Sequence, residues 1–466
     1  MAQPSASISL AGALALAFLA CGGDDEQFTD GGPIDGPTEE DATVDAPIDA
    51  TALGTATLTV RGMGNPVPGL TVVWNDPTGA VQTQEVTDNA GVASETIMIG
   101  SSVTLFVTMP GGGITGYITI SFLAIEPGDN LVWDFDEPTS ATATTATITL
   151  PGAQATATSY TVSAGCTEVQ TATPTQPVTL VIPMRCLGSN QSFDIVAVAN
   201  DTNGAPVGYD HANTTVTGAA TAVTLDAWQT TYQPLTYSLT NPPADATGVG
   251  VENHFRIDGV HFDGPRAGGG FAGGSATIAS GYWNGSVVNR LQYAIFIGRT
   301  AGNPAAAAGA SILLGGKPDA PATVAHDLST LLPIITAATL GETAGRLQVD
   351  WTPAGSFATT DGALMLTNWT ETGENHQAFV MAPPDVSSPL TMPVIPDALM
   401  AYRPGTTPTF LIPTIIFAEA DYLAGYDVFR REGWRIFGDN ATNSLPPAGG
   451  LLRGTLGGQL PGGGGN

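Results

Sequence analysis

Short runs in which apolar and polar residues alternate one by one recur along most of this chain. In the clearest run, residues 346–352, Leu347, Val349 and Trp351 occupy every second position. Successive side chains of a strand point to opposite faces, so this period of two predicts half-buried antiparallel strands. Turn-forming sequences such as NDPTG, TDNAG and DTNG separate the runs. We therefore predict an all-β protein, with tandem β-sandwiches followed by a larger β-rich C-terminal region.

The strongest helical periodicity lies in residues 418–431, AEADYLAGYDVFRR. Gly425 interrupts this pattern, and residues 415–417 before it have the character of a strand. Because glycine weakens a helix interior, the sequence favours strand or loop over helix here.

Residues 8–20 form an uncharged apolar run that stops at Cys21. A run this short does not cross a bilayer, which takes about 20 residues, but it suits an export signal. Residues 18–21, FLAC, resemble the lipobox of bacterial lipoproteins. The resemblance implies a signal peptide over 1–20 and lipidation of Cys21. Gly22 in the next position favours the outer membrane, on its periplasmic or outer face.

Residues 22–50 carry ten acidic residues and no Lys or Arg. Such a segment buries too little apolar surface to fold, so we predict a disordered terminus or an extended tether over 21–50. The whole chain has a net charge of −29 and one lysine, Lys317. This charge excludes nucleic acid as a partner and disfavours direct binding to an anionic membrane surface. It is compatible with either solubility or weak cation binding.

Cys166 and Cys186 remain as an even pair once Cys21 is assigned to the leader. In an exported chain this predicts a structural disulfide, worth about 3 kcal/mol for a loop of about 20 residues. Two free buried thiols, or reactive cysteines, are the alternatives.

Residues 56–107 include the sequence NPVPGLTVVWNDPTGAVQTQEVTDNAGVAS. This stretch resembles the carboxypeptidase-regulatory or bacterial Ig-like family of envelope modules. There a PVPG-type turn, here 66–69, leads into one strand, and a T-D-x-x-G turn, here Thr87, Asp88 and Gly91, leads into the next. The resemblance implies an Ig-like β-sandwich without catalysis. Residues 139–226 resemble a second such sandwich, and the arrangement as a whole resembles lipoproteins of deltaproteobacteria.

The predicted organisation follows from these segments. It comprises a signal peptide (1–20), an acidic tether (21–50), two sandwiches (51–137 and 138–226), a β-rich region of one or two domains (227–456) and a glycine-rich disordered tail (457–466).

Two groups of residues are candidates for a metal ion. His254, Asp258, His261 and Asp263 offer imidazole and carboxylate ligands, but the histidines lie on opposite faces of an extended strand unless Gly259 bends the chain. We therefore predict no transition-metal site. The acidic residues Asp134, Asp136 and Glu137 are weak candidates for calcium, and a solvated linker is the alternative.

No cofactor is predicted. Gly268, Gly270 and Gly273 match the G-x-G-x-x-G spacing, but the residues that follow are typical of a strand, whereas a dinucleotide site needs a helix there. The sequence contains no HExxH, GxSxG or SxxK motif of the common hydrolases.

These features favour a non-catalytic envelope protein, a stalk or a binding and adhesion module, with a protein or glycan as possible ligand. Four aromatic residues could form a glycan platform, although a core position is the stronger interpretation for each: Tyr282, Trp283, Trp369 and Tyr402. The alternative is an envelope enzyme acting on polysaccharide through paired acids of the C-terminal region. Candidate acids, scattered among turns, are Asp350, Asp361 and Glu371.

Overall fold

Strands make up almost all of the regular structure, and the predicted all-β fold class is confirmed. In the computed structural model, thirty strands, one α-helix and three short 3-10 turns are found among the described residues. The predicted leader, acidic tether and most of the glycine-rich tail lie outside the described residues, which are 53–62, 65–111, 114–135, 141–165, 169–188, 190–202, 205–257, 260–282, 287–299, 309–437 and 446–457.

The first eight strands form a sandwich. One sheet contains β2, β1 and β5, with β8 parallel to β1, and the other contains β4, β3, β6 and β7. Leu58, Trp74 and Phe122 are fully buried between them. The strands are β1 (Leu53–Gly62), β2 (Asn65–Pro66), β3 (Thr71–Asn75), β4 (Val81–Val86), β5 (Val92–Met98), β6 (Ser101–Gly111), β7 (Ile114–Ile125) and β8 (Asn130–Asp134).

The next seven strands form a second sandwich, with sheets ordered β12-β9-β15 and β11-β10-β13-β14. Its core contains Val162 and Ile195, which the alternating pattern directs inward. The strands are β9 (Thr142–Thr149), β10 (Ser159–Ser163), β11 (Gln170–Ala172), β12 (Val178–Pro183), β13 (Ser192–Asn200), β14 (Pro206–Thr215) and β15 (Ala220–Thr224).

The C-terminal region contains the remaining strands and the helix. They are β16 (Gln233–Thr240), β17 (Ala246–Ile257), β18 (Val260–Gly269), β19 (Ser275–Tyr282), β20 (Arg290–Arg299), β21 (Ala310–Pro318), β22 (Thr323–Asp327), β23 (Ile335–Thr343), β24 (Arg346–Pro353), β25 (Gly362–Glu371), β26 (Glu374–Ala382), β27 (Leu390–Thr391), β28 (Thr409–Phe410), β29 (Thr414–Ala420), α1 (Tyr426–Phe437) and β30 (Leu451–Gly457).

One long sheet joins the C-terminal region to the first sandwich. It has 13 strands, ordered β18-β17-β20-β21-β30-β29-β25-β26-β7-β6-β3-β4, with β28 beside β25. The junction is the parallel pair β7 and β26, in register from Gly116 with Asn375 to Phe122 with Met381. Backbone hydrogen bonds therefore cross the boundary predicted at residue 137, and the predicted domain boundaries stay a prediction.

Two small sheets and the helix cover the long sheet. The β19-β16-β22 sheet packs Tyr237 and Leu239 with Phe255 of β17. The β23-β24-β27 sheet packs Trp351 with Phe417 of β29, at a ring distance of 6.0 Å. Helix α1 contributes Phe429 to a separate cluster.

The prediction of no helix within 418–431 is wrong for the second half of that segment. Residues up to Ala420 continue β29, and α1 begins at Tyr426, directly after Gly425 in a left-handed conformation (φ 75°). Glycine adopts this conformation without strain, so it marks the boundary between strand and helix. Phe429 is fully buried, and this packing stabilises a helix that the local sequence leaves marginal.

Candidate functional site

Five ring side chains form a row across the junction of β7 and β26. His376 of β26 stacks on Tyr117 of β7 at 5.1 Å and on Trp369 of β25 at 4.9 Å. Tyr402 meets Tyr117 and Phe106 edge-on at 5.1 and 5.0 Å. We call these five residues the aromatic row. Stacked and edge-on rings in this distance range contribute beyond their buried area, so the row reinforces the junction.

The row lies against a small cavity. Its volume is about 20 Å³, and its lining includes Thr104, Ser121, Trp369 and Tyr402. A cavity of this size holds about one water molecule. Thr104 Oγ1 and Ser121 Oγ, which are 2.9 Å apart and buried, satisfy each other across β6 and β7. The junction is thus packed as a structural interface rather than opened as a ligand pocket.

Helix α1 connects the two sides of the junction. Arg430, 1% exposed, donates to Asp129 Oδ1 at 2.6 Å and contacts Asp427 Oδ1 at 2.8 Å. The hydroxyl of Tyr426 donates to the carbonyl of Leu123 at 2.7 Å. Burial raises the pKa of Tyr426, so this hydroxyl stays a donor. A helix of the C-terminal region is therefore hydrogen-bonded to the end of β7 and to the turn that follows it.

A loop of the C-terminal region holds the β3–β4 turn in the same way. The amide of Val394 donates to the carbonyl of Gly79, and Asn75 Nδ2 donates to the carbonyl of Val394, both at 2.9 Å. The hydroxyls of Tyr402 and Thr108 are 2.7 Å apart. The contacts made by α1, by Val394 and by Tyr402 thus hold the first sandwich against the C-terminal region.

A second candidate site lies on the β17–β18 hairpin. His254 of β17 stands opposite Asp263 of β18, and His261 precedes Asp263 by two positions on the same face. His254 Nδ1 is 3.2 Å from Asp263 Oδ1, and His261 Nε2 is 3.3 Å from the same oxygen. The two imidazole rings are 5.0 Å apart. We call these three residues the His–His–Asp cluster.

The burial of the cluster is uneven. The side chains of His254 and His261 are 10% and 6% exposed, whereas that of Asp263 is 69% exposed. Burial lowers the pKa of His261, which favours the neutral imidazole, and hydrogen bonds from His254 and His261 lower the pKa of Asp263. Neutral imidazole and ionised carboxylate are the forms in which these residue types bind metals.

The pairing of β17 with β18 is the exception that the sequence interpretation allowed. β17 ends at Ile257, which pairs with Val260 at the start of β18. Asp-Gly between alternating runs is the strongest short-range signal for a hairpin, and Asp258-Gly259 is that signal in this chain. It places His254 and His261 on neighbouring strands, and treating the segment as one strand missed this pairing. Asp258 and Gly259 lie outside the described residues.

The cysteine and calcium predictions lie partly outside the described residues. Cys21, Cys166, Asp136 and Glu137 fall there. Cys186 is fully buried in the core of the second sandwich. Asp134 is the last residue of β8, in register with Arg61 of β1. The disulfide pairing and the calcium candidates stay predictions.

The three candidate acids for polysaccharide cleavage are each engaged in hydrogen bonds with other parts of the fold. Glu371 accepts hydrogen bonds from the amides of Gly405 and Thr407, and these bonds lower its pKa. Asp361 accepts from the amide of Ala420, and burial raises its pKa. Asp350 accepts from the hydroxyl of Ser388 at 2.6 Å. Each carboxylate thus holds a loop or strand end in place.

The other candidates have structural positions. Trp369 is 2% exposed, as the core interpretation predicted, and Tyr402 is half-buried in the aromatic row. Tyr282 ends β19, and Trp283 lies outside the described residues. Gly268 belongs to β18, and a strand, β19, follows the glycines as predicted. Among the residues that the structure describes, no helix has the length and apolar character needed to span a bilayer.

Comparisons with known proteins assign no family. No protein-family profile matches the chain, and no curated protein matches it. Among solved structures, the shaft pilin SpaA of Lactobacillus rhamnosus GG is 8% identical, with a TM-score of 0.15 over 38% of this chain and 98% of the pilin. The Bacillus anthracis TIE protein is 11% identical, with a TM-score of 0.14 over 59% of this chain and 50% of that protein.

A putative adhesin from Bacteroides ovatus is 7% identical, with a TM-score of 0.15 over 38% of this chain and 82% of the adhesin. TM-scores this low do not define a shared overall fold, so these proteins assign no role to this chain. The resemblance of residues 56–107 to the carboxypeptidase-regulatory or Ig-like family stays a prediction.

Proposed function

We propose that this protein is a non-catalytic component of a bacterial cell envelope. In this proposal it is anchored to the outer membrane by a lipid on Cys21 and held away from it by the acidic segment 22–50. The folded part is a stiff spacer whose C-terminal region carries any binding activity towards a protein or glycan.

The β7–β26 junction is the observation that carries the proposal. A chain of independent sandwiches bends at its linkers, but here the first sandwich and the C-terminal region share one hydrogen-bonded sheet. At about 4.8 Å between neighbours, the long path of strands would span roughly 50 Å if it were flat. Because α1 and the aromatic row brace the joint, it resists bending, which suits a spacer.

The placement of the candidate acids supports the absence of catalysis in this proposal. A general acid needs a proton that it can give to the substrate, and a nucleophile needs a lone pair that can attack it. The carboxylate oxygens of Glu371 and Asp361 use their lone pairs to accept hydrogen bonds from backbone amides. An acid committed to the fold is poorly placed to react.

A polysaccharide hydrolysis panel run beside a glycan array tests the functional class. We expect binding without turnover. Turnover that is lost when a single acid, Asp350, Asp361 or Glu371, is changed to the amide would overturn the proposal. Because Asp361→Asn and Glu371→Gln also alter loop anchors, their circular dichroism spectra must match that of the wild type before turnover is compared.

Metabolic labelling with an alkyne palmitate analogue tests the anchor. We expect label in the wild-type chain and none in the Cys21→Ser variant. Label retained in that variant would contradict the lipidation of Cys21. The Cys186→Ser variant is the matched control, since it removes a buried cysteine and leaves the leader intact.

We also propose that Cys166 and Cys186 form a disulfide in the second sandwich. Cys186 is fully buried in the core of the second sandwich, so a disulfide there would close a loop around that core and strengthen it. Peptide mapping without reduction should recover the two cysteines in one linked fragment. Recovery of both as alkylated free thiols from native envelope would contradict the pairing.

A further inference from the structure

We infer that His254, His261 and Asp263 bind a divalent transition-metal ion of the zinc class. The inference is independent of the proposed envelope function. It rests on the geometry of the β17–β18 hairpin and on a comparison with another histidine–aspartate pair of the same chain.

Three potential ligand atoms converge in the cluster: His254 Nδ1, His261 Nε2 and Asp263 Oδ1, all within 4.8 Å of one another. Zinc binds imidazole nitrogen and carboxylate oxygen at about 2.0–2.1 Å in a tetrahedral arrangement. Two ligands of such a tetrahedron lie about 3.3 Å apart. The oxygen of Asp263 is 3.2 and 3.3 Å from the two nitrogens, so these two edges match a tetrahedral site. The third edge, between the two nitrogens, lies within 4.8 Å, and binding of an ion would close it to about 3.3 Å.

The same distances lie at the long end of the range for hydrogen bonds. Bonds from a neutral N–H to oxygen are usually about 2.7–3.2 Å. His211 and Asp194 form an ordinary pair of this kind, with Nε2 and Oδ1 at 2.7 Å. Asp194 has a second donor, Asn213 Nδ2, at 3.1 Å, and its short bond to His211 persists. A shared carboxylate oxygen alone therefore does not account for the wider spacing around Asp263.

The cluster lies in a mostly buried setting. His261 is 7% exposed, and its Nδ1, which is not one of the converging atoms, is buried without a hydrogen-bond partner among the described residues. Beside it, Arg256 donates to Gln292 Oε1 at 3.1 Å, and Gln292 is fully buried. The imidazoles thus lie in a formed, mostly buried setting and are not mobile surface groups.

The ligand types select the class of ion. Two imidazoles with one carboxylate suit zinc and its neighbours, whereas calcium prefers an all-oxygen set. The exposed side chain of Asp263 gives an ion a route from solvent and leaves a fourth position for water. An ion here would tie β17 to β18, the strand at the end of the long sheet.

Competition between the protein and a chromophoric chelator for Zn²⁺ tests the inference. The whole chain is used without a histidine tag, after removal of metal by dialysis against a chelator. We expect one Zn²⁺ per chain and no competition by Ca²⁺. Co²⁺ in place of Zn²⁺ should give the intense visible bands of four-coordinate cobalt.

The variants are chosen to separate loss of a ligand from loss of the fold. Asp263→Asn is nearly isosteric at an exposed position, and His261→Gln removes a buried ligand. Each should weaken Zn²⁺ binding by about 100-fold or more. Loss of a residue that only supports a ligand typically weakens binding by about 10- to 100-fold, so a larger loss indicates a ligand. His211→Gln, which breaks the ordinary pair, should leave the affinity within about twofold of the wild type.

Two results would overturn the inference. The first is a wild-type chain that takes up no Zn²⁺ from the chelator. The second is an affinity that Asp263→Asn leaves unchanged, since the ion would then lie elsewhere. If His261→Gln fails to fold, Asp263→Asn decides alone.

Discussion

Arg430 is the largest charged side chain that the described part of the fold buries completely. Its guanidinium pairs with Asp129, whose side chain is 10% exposed, and with the more exposed Asp427, so the buried charge of Asp129 depends on Arg430 for compensation. Removing one partner of a buried pair is costly because the other charge stays in a medium of low polarity. Single residues at the junction therefore affect the stability of the whole sheet.

We predict that Arg430→Met lowers the free energy of unfolding by about 3 kcal/mol or more, because Asp129 loses its buried counter-charge. Arg431→Met is the matched control: Arg431 is exposed and donates to the carbonyl of Asp427 in its own helix. Urea denaturation followed by tryptophan fluorescence measures both variants. Equal losses in the two would contradict the role given to the buried pair.

His326 predicts a pH dependence of stability. Burial, helped by the charges of Lys317 and Arg453, lowers its pKa from 6.5 to about 4, and its Nε2 is hydrogen-bonded to the hydroxyl of Tyr293 at 2.8 Å. Between these pKa values the unfolded chain binds the proton and the folded chain does not. The free energy of unfolding therefore falls as the pH is lowered through this range, by about 2 kcal/mol from this group at about pH 5.

The matched variant is His326→Gln, which keeps a polar group near Tyr293 but does not titrate. The free energy of unfolding of the wild type, relative to this variant, should fall by about 2 kcal/mol between about pH 7.5 and pH 5. Denaturation curves at the two pH values measure this difference. A constant difference would show that His326 titrates alike in the folded and unfolded chain.

At the scale of elements, α1 depends on a gap in the strand beneath it. A Cβ atom at Gly362 of β25 would lie 2.4 Å from Cδ1 of Phe429, so only glycine lets the ring reach the sheet. The fit of Phe429 against Gly362 and the contacts with Asp129 and Leu123 therefore hold the helix in place. Isolated helices of this length are marginal in water, so this packing supplies most of its stability.

We predict that Gly362→Ala displaces Phe429 and lowers the free energy of unfolding by about 1–3 kcal/mol through overpacking. Gly341→Ala is the control, since a Cβ at Gly341 of β23 meets no atom within 4 Å. Protection of α1 amides from hydrogen exchange should fall in the first variant and stay unchanged in the second. Intact protection in both would mean that the gap does not position the helix.

The strands were predictable from sequence where one face of the strand is buried and the other is exposed to solvent. β24 has this pattern, with Leu347, Val349 and Trp351 buried as the alternation requires. In β6, Ser102 and Thr104 are buried as well, because this strand lies inside the long sheet and is covered on both faces. Sequence alternation shows which face is apolar, and it does not show what covers the polar face.

The two candidate sites differ in the same respect. The His–His–Asp cluster depends on a local hairpin, and Asp258-Gly259 signals that turn in the sequence. The junction depends on Tyr117 and His376, which are far apart in the chain and carry no local pattern. Pairing between distant strands is decided by the packing of the whole molecule, which a single sequence does not display.

At the scale of the whole molecule, the shared sheet makes the first sandwich and the C-terminal region depend on each other. Breaking the β7–β26 pairing would leave strand edges with unpaired amides and carbonyls on both sides. It would also uncover the stacked rings of Tyr117 and His376. Neither part therefore has its native surface without the other.

We predict a single cooperative thermal transition that includes both parts. Differential scanning calorimetry of the mature chain should give equal calorimetric and van't Hoff enthalpies for this transition. Trp74 and Trp133 report on the first sandwich and Trp351 and Trp369 on the C-terminal region, so single-tryptophan variants should melt together. Two separated transitions would show that the junction does not couple the parts.

The β7–β26 pair also sets the order in which the molecule can be assembled. β7 is synthesised roughly 250 residues before β26, its partner in the sheet. Until β26 arrives, the early sandwich has an open edge at β7, unlike modules that are complete when they leave the N-terminal part of the chain. A chain that ends before β26 would therefore keep an unpaired strand edge that can pair with other chains. Synthesis through β26 is thus needed to avoid this aggregation.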